Sequence, residues 1–269
     1  MNNSTNDSSH IVRAYDKELG EIDVMIAKMG GHCETILENA LLSLRRRDPD
    51  LAEKTILLDD KINKLDLEIE EKAIRVIALR QPMAQDLRQL LGAIRISTDL
   101  ERIGDLGKNL AKRAITVSEE KHPKPIKKDL KRMGKLVRRQ LGDILDAYAQ
   151  RDAEKALEVW VGDEDVDDMY TSIFRELLTY MMEDPRNISL CTHLLFGARN
   201  LERIGDHTTH IARNVHFLVT GETIEGNRPK SDDTSGIHVS PKDSPKDSVQ
   251  DSVEEKPKYP PRPPAEGEL

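Results

Sequence analysis

Between Leu19 and Thr220 the chain is written almost entirely in helix-forming residues, and its apolar positions line up at helical spacing. Leu87 and Ile94 stand one heptad apart, as do Leu90 and Ser97 beside them, and Ile188 and Leu195 repeat the pattern further on. Prolines 49, 82, 123, 125 and 185 fall at or near the starts of such runs, where a missing N–H costs nothing. The pattern predicts six helices, over 16–45, 50–80, 83–117, 125–150, 153–183 and 186–219. Beyond Gly221 the residues are chiefly Pro, Ser, Lys, Asp and Glu, with too little apolar material to offset the entropy of ordering, so 222–269 is predicted to be a disordered tail.

The chain repeats itself. Shifted by 104 positions, Met29-Gly30 falls on Met133-Gly134, Arg47-Asp48 on Arg151-Asp152, Leu37 on Leu141, Leu41 on Leu145 and Asp59 on Asp163. Further on the offset becomes 101, and Leu100-Glu101-Arg102-Ile103-Gly104-Asp105 matches Leu201-Glu202-Arg203-Ile204-Gly205-Asp206 without a mismatch. An internal duplication follows. The predicted fold is all-α: two tandem three-helix bundles, residues 1–118 and 119–221, with the tail after them.

Composition narrows the function. A net charge of -8 and 3% aromatic residues argue against nucleic acid, whose binding needs basic surface and stacking side chains. Cys33 and Cys191 lie far apart with no Cys-x-x-Cys spacing, which reads as two free thiols in a reducing, cytoplasmic setting. Met1 to His10 carry no apolar segment of the signal-peptide kind, and no run of eighteen apolar residues occurs; no membrane insertion is expected.

Candidate chemistry concentrates in the duplicated hexapeptide. Glu101 and Asp105 share a helix face, and like charges at that spacing repel by about 0.2–0.5 kcal/mol. Heptad spacing places Glu101 in line with Leu87 and Ile94, and Asp105 in line with Leu91 and Thr98, so the acids are expected to follow the core stripe. Glu202 and Asp206 repeat this, with Thr192 and Arg199 making the second line polar. The line Leu90, Ser97, Gly104, matched by Cys191, Ala198, Gly205, narrows to glycine beside the acids, as close approach of a neighbouring backbone or access for a ligand would require. The second helices add Asp59 and Asn63, matched by Asp163 and Asp167, while Asn109 and His210 stand one turn beyond the acid pairs. Such oxygen-rich sets with a nitrogen ligand suit iron, manganese, zinc or magnesium. The alternative is that the acids pair with nearby bases, Asp105 with Lys108 and Asp206 with His210, on a solvated face. His207 reads as a surface residue, and His32, Cys33 and His193 as packing residues. The basic stretch from Lys121 to Arg139 reads first as a solvated face, with an acidic partner or an anionic membrane surface as alternatives.

These motifs, together with Ile22-Asp23, Met29-Gly30-Gly31, Arg80-Gln81-Pro82, Asp86-Leu87-Arg88 and Tyr180-Met181-Met182-Glu183-Asp184, resemble the PhoU family of phosphate-specific transport system accessory proteins. The resemblance implies two three-helix bundles related by a pseudo-twofold axis, a cytosolic homodimer, and metal clusters on Glu/Asp-x-x-x-Asp motifs, here Glu101 with Asp105 and Glu202 with Asp206. It also implies an adaptor linking the ATPase subunit of the high-affinity phosphate ABC transporter to the sensor histidine kinase of the phosphate regulon. Such an adaptor restrains uptake and regulon expression when phosphate is plentiful. His210 departs from the asparagine of many relatives.

An enzyme is not expected. A ferritin-like di-iron protein needs Glu-x-x-His pairs within its bundle helices, and the only such spacing, Glu119 to His122, lies directly before Pro123. No Ser-His-Asp, Cys-His, P-loop or Rossmann pattern is present. The competing reading is a metal-binding carboxylate bundle or helical scaffold with no part in phosphate signalling.

Overall fold

A computed structural model describes residues 4–120 and 123–224. The described residues are helical with no strand: α1 (Ser4–Arg46), α2 (Pro49–Ile56), α3 (Asp59–Arg80), α4 (Ala84–Thr116), α5 (Lys124–Gln150), α6 (Ala153–Val161), α7 (Glu164–Glu183) and α8 (Ile188–Thr220), with one 3-10 turn at Pro185–Asn187. The tail assigned to 222–269 lies, beyond Ile224, outside the described residues. No helix among the described residues is long and apolar enough to cross a membrane.

Two boundaries differ from expectation. The first helix begins at Ser4 rather than near residue 16. More consequentially, the second helix of each repeat is broken in two, at Leu57–Leu58 and at Gly162–Asp163. Both pieces start alike: Arg47 and Arg151 adopt left-handed backbone (φ 59° and 54°), and Asp48 and Asp152 then cap α2 and α6 by accepting from Leu51 N and Lys155 N at 3.0 Å. In the second repeat Gln140 Nε2 donates to the carbonyl of Gly162 freed at the break, at 3.2 Å. The break sets Asp59 and Asp163 at the start of α3 and α7, where a carboxylate meets the positive end of the helix dipole.

Along α1 the residues Ile22, Ile26, Met29, Cys33, Ile36 and Leu37 are all buried; spacings of three, four and seven make one apolar stripe facing α3 and α4. Each large side chain so buried contributes about 1.5–3 kcal/mol. The repeats meet through α1 with α5 and α4 with α8. Reciprocal contacts reveal the pseudo-twofold: the open face of Gly30 is filled by Leu145, and that of its counterpart Gly134 by Leu41, the counterpart of Leu145. The Tyr148 hydroxyl donates to Asp23 Oδ1 at 2.5 Å, and Arg151 Nη2 donates to Asp23 Oδ2 at 2.8 Å, tying α5 to α1. Cys33 and Cys191 are free thiols, both buried, and Cys33 Sγ donates to the Leu100 carbonyl at 3.2 Å.

Candidate functional site

Burial along α4 corrects the expected stripe. Leu90, Ser97 and Gly104 are buried, whereas Leu91 and Thr98 are exposed and Asp105 half-buried. The glycine line is therefore the core line, and the acids stand on its rim. In α8 the same holds for Cys191, Ala198 and Gly205, but here Glu202 is drawn inside, only 3% exposed.

Side chains rather than backbone approach each glycine: a carboxylate at Gly205, and Ile62 with a carboxylate behind it at Gly104. A methyl group on Gly205 would lie 2.5 Å from Asp163 Oδ1; one on Gly104 would lie 2.8 Å from Ile62 Cδ1 and 3.4 Å from Asp59 Oδ1. The helix break thus delivers Asp59 and Asp163 against the notch in the facing helix, and both are 1% exposed. Each repeat brings an acid pair on the third helix together with an acid at the start of the broken second helix.

In the first repeat Lys108 Nζ donates to Asp59 Oδ2 at 2.5 Å and to Asp105 Oδ1 at 2.6 Å, so the expected pairing of Asp105 with Lys108 is present. Burial is the largest influence on the ammonium and lowers its pKa, but the bonds to Asp105 and Asp59 outweigh it and hold Lys108 above its ordinary range. Asn63 Nδ2 donates to Asp59 Oδ2 at 3.2 Å. Asp59 Oδ1 and Asn63 Oδ1 are buried and accept no hydrogen bond from the described residues. Glu101, with 21% of its side chain exposed, is raised above the usual carboxylate range, first by desolvation, with Arg102 opposing and Asp105 adding to the rise. Orphaned, buried oxygen acceptors beside acids are a donor set that fits a hard cation. Asn109, one turn on, is exposed.

In the second repeat Asp163 and Asp167 are each 1% exposed, and Arg199 Nη1 donates to Glu202 Oε1 at 3.1 Å. His210 feels the charge of Asp206, one turn before it. It faces across the repeat boundary to α4, where its Nδ1 lies 3.5 Å from Asp99 Oδ1. His207, expected at the surface, has only 17% of its side chain exposed, and its Nδ1 lies 3.0 Å from the same oxygen. Burial alone would push Asp99 up, but its bonds to the two imidazoles leave it below the usual carboxylate range; His210 is raised, chiefly by its bond to Asp99. Asp99 is the participant that sequence reasoning missed, because nothing in its local pattern shows that α4 and α8 cross there.

Of the basic stretch, Lys127, Lys131, Lys135 and Arg138 rim a groove of about 240 Å³ between α1 and α5, floored by Leu41 and Leu130. Lys121 lies outside the described residues.

The PhoU domain family matches residues 26–114 and again 130–215, one match per repeat. A phosphate-specific transport system accessory protein PhoU homolog of Caulobacter vibrioides is 48% identical over 225 residues, 84% of this chain and 98% of that one. The homolog of Rhizobium meliloti is 49% identical over 227 residues, 84% and 96% of the two chains. Among solved structures, PhoU of Pseudomonas aeruginosa superposes with a TM-score of 0.75 at 39% identity, covering 77% of this chain and all of that one. The phosphate transport system regulatory protein PhoU of Streptococcus pneumoniae gives a TM-score of 0.73 at 31% identity, covering 78% and 99%. With the duplicated acid motif, the paired helix breaks and these matches over both repeats, the chain belongs to the PhoU family.

Proposed function

We propose that this chain is a non-catalytic accessory protein of phosphate-specific transport, acting in the cytoplasm as a homodimer. It couples the ATPase subunit of the phosphate ABC transporter to the sensor histidine kinase of the phosphate regulon, and lowers uptake and regulon expression when phosphate is plentiful. The supporting observation is identity of 48% or more to accessory proteins of that system along nearly their whole length. Metal is part of the reading. Asp59, Asn63, Glu101 and Asp105 in one repeat, and Asp163, Asp167, Glu202 and Asp206 in the other, hold oxygen-preferring cations such as iron, manganese, magnesium or zinc. The support is the orphaned acceptors of Asp59 and Asn63 and the notch that Gly205 leaves at Asp163.

Tagged full-length protein should capture the transporter's ATPase subunit and the kinase's cytosolic portion, and should run as a dimer by light scattering. Deleting the gene should release a phosphate-repressed reporter. Retained repression after deletion, or hydrolysis of ATP or phosphate esters that tracks the protein through purification, would overturn the reading.

A further inference from the structure

Where α4 crosses α8, three ligating side chains meet outside both carboxylate clusters. Asp99, His207 and His210 each offer one ligand atom, and the three atoms lie within 4.8 Å of one another. Asp99 and His207 are well shielded, with 14% and 17% of their side chains exposed, while His210 is 55% exposed. The imidazole rings stand edge to face with centroids 5.5 Å apart.

We infer that Asp99, His207 and His210 form a separate zinc-type site that joins the two repeats. Two nitrogens and one carboxylate oxygen are a common three-ligand zinc set, with the remaining position left for water or an exogenous ligand. Zinc–ligand bonds of about 2.0–2.1 Å in tetrahedral array put neighbouring ligand atoms about 3.3 Å apart. The two distances from Asp99 Oδ1, 3.0 Å to His207 and 3.5 Å to His210, bracket that value. Two imidazole nitrogens already converge on one oxygen, so replacing their protons by a cation asks for small rotations only. Asp99 and His210 line a cleft of about 470 Å³ together with Arg95, Arg213 and Asn214, so an exogenous ligand has a way in.

The duplication supplies an internal reference. At the offset of 101, Asp99 corresponds to Asn200, His207 to Leu106 and His210 to Asn109. The counterpart positions in the duplicated frame thus carry none of the three ligands, and the repeat pattern does not itself require them. Donor chemistry also separates this site from the carboxylate clusters: imidazole nitrogen favours zinc, whereas all-oxygen sites suit harder cations.

The test is Zn2+ titration of the full-length, metal-stripped protein against a chromophoric chelator, repeated with Co2+ for its visible bands. His207→Ala and His210→Ala should each lose one equivalent of bound Zn2+. The paired change of Glu101→Gln with Asp105→Asn should leave that equivalent in place. His210 is more than half exposed, so its variant keeps the fold even if His207→Ala does not. Imidazole nitrogen shifts in the unmodified protein provide a readout without mutation: resonances of both histidines should move on adding one equivalent of Zn2+. Unchanged Zn2+ stoichiometry in His210→Ala, or histidine resonances indifferent to Zn2+, would overturn the inference.

Discussion

In the first repeat Lys108 reaches between Asp59 and Asp105, whereas the second repeat has Thr209 at the matching position and sets Asp167 where the first has Asn63. The named groups are three carboxylates with the Lys108 ammonium and the Arg102 guanidinium in one repeat, and four carboxylates with the Arg199 guanidinium in the other. Burial follows the same division, with Glu202 and Asp167 inside but Glu101 and Asn63 half-exposed. On the proposed reading the duplicated frame carries two cation sites of different appetite: each has a basic side chain of its own, and the second has one carboxylate more with which to attract a foreign cation.

The largest expected effect comes from removing the built-in cation. In metal-free protein Lys108→Thr leaves Asp59 buried beside Asp105 without its ammonium, at a cost of up to about 3 kcal/mol. Adding Mn2+ or Zn2+ should recover much of it, because the variant now resembles the second repeat. Denaturant unfolding with and without metal decides this, and a loss that metal does not relieve would show that Lys108 is structural and its site no cation site. Next come the glycines. Gly104→Leu and Gly205→Leu should each cost about 1–3 kcal/mol by overpacking. Alanine separates the repeats: it regains about 1 kcal/mol of helix propensity, which Gly104→Ala keeps if Ile62 Cδ1 swings aside, while Gly205→Ala still drives a methyl into the Asp163 carboxylate. Equal unfolding midpoints for the two alanine variants would erase the distinction.

Third in size are the paired neutral replacements. Glu202→Gln with Asp206→Asn should remove the more tightly held metal, and Glu101→Gln with Asp105→Asn the weaker, both with little change in fold. If the acids serve only as ion-pair partners, each double change costs roughly 0–1 kcal/mol per pair and metal content by elemental analysis is the same in all three proteins.

Much of this frame was legible in the chain itself. Glu101-Arg102-Ile103-Gly104-Asp105 and its copy betray the duplication, and the glycines mark the level at which something approaches, because a mid-helix glycine needs a reason. Glycine leaves open whether a backbone or a ligand approaches, and the side chains that do approach are not legible because their placement depends on the break at Leu57–Leu58, where neither residue is a helix breaker. Heptad arithmetic also slipped by one position. Leu87, Leu90 and Leu91 all sit on one broad face, and only packing against α1 and α8 decides that Leu90 leads the buried line. Asp99 and His207, 108 residues apart, could not be paired from sequence, because their meeting depends on the crossing of two helices.

The smallest effect belongs to the exchange of Asn63 for Asp167 on the second helices, and it tests whether charge count alone separates the two sites. Asn63→Asp gives the first repeat the acid that the second has in Asp167. Without metal it replaces the amide donor that now serves Asp59 at 3.2 Å by a like charge one turn away, at a cost of about 0.2–0.5 kcal/mol from repulsion. With metal the sign reverses, since the added carboxylate becomes a ligand and the new repulsion is neutralised. Crossing the two conditions gives a readout that simple damage cannot imitate: Asn63→Asp should be less stable than the parent in chelator and more stable in excess Mn2+. Combined with Lys108→Thr the gain should exceed the sum of the parts, because both changes act on the carboxylate of Asp59 and neighbouring sites couple. Stability that falls equally with and without metal would mean that position 63 faces no cation and that Asp167 does not set the two sites apart.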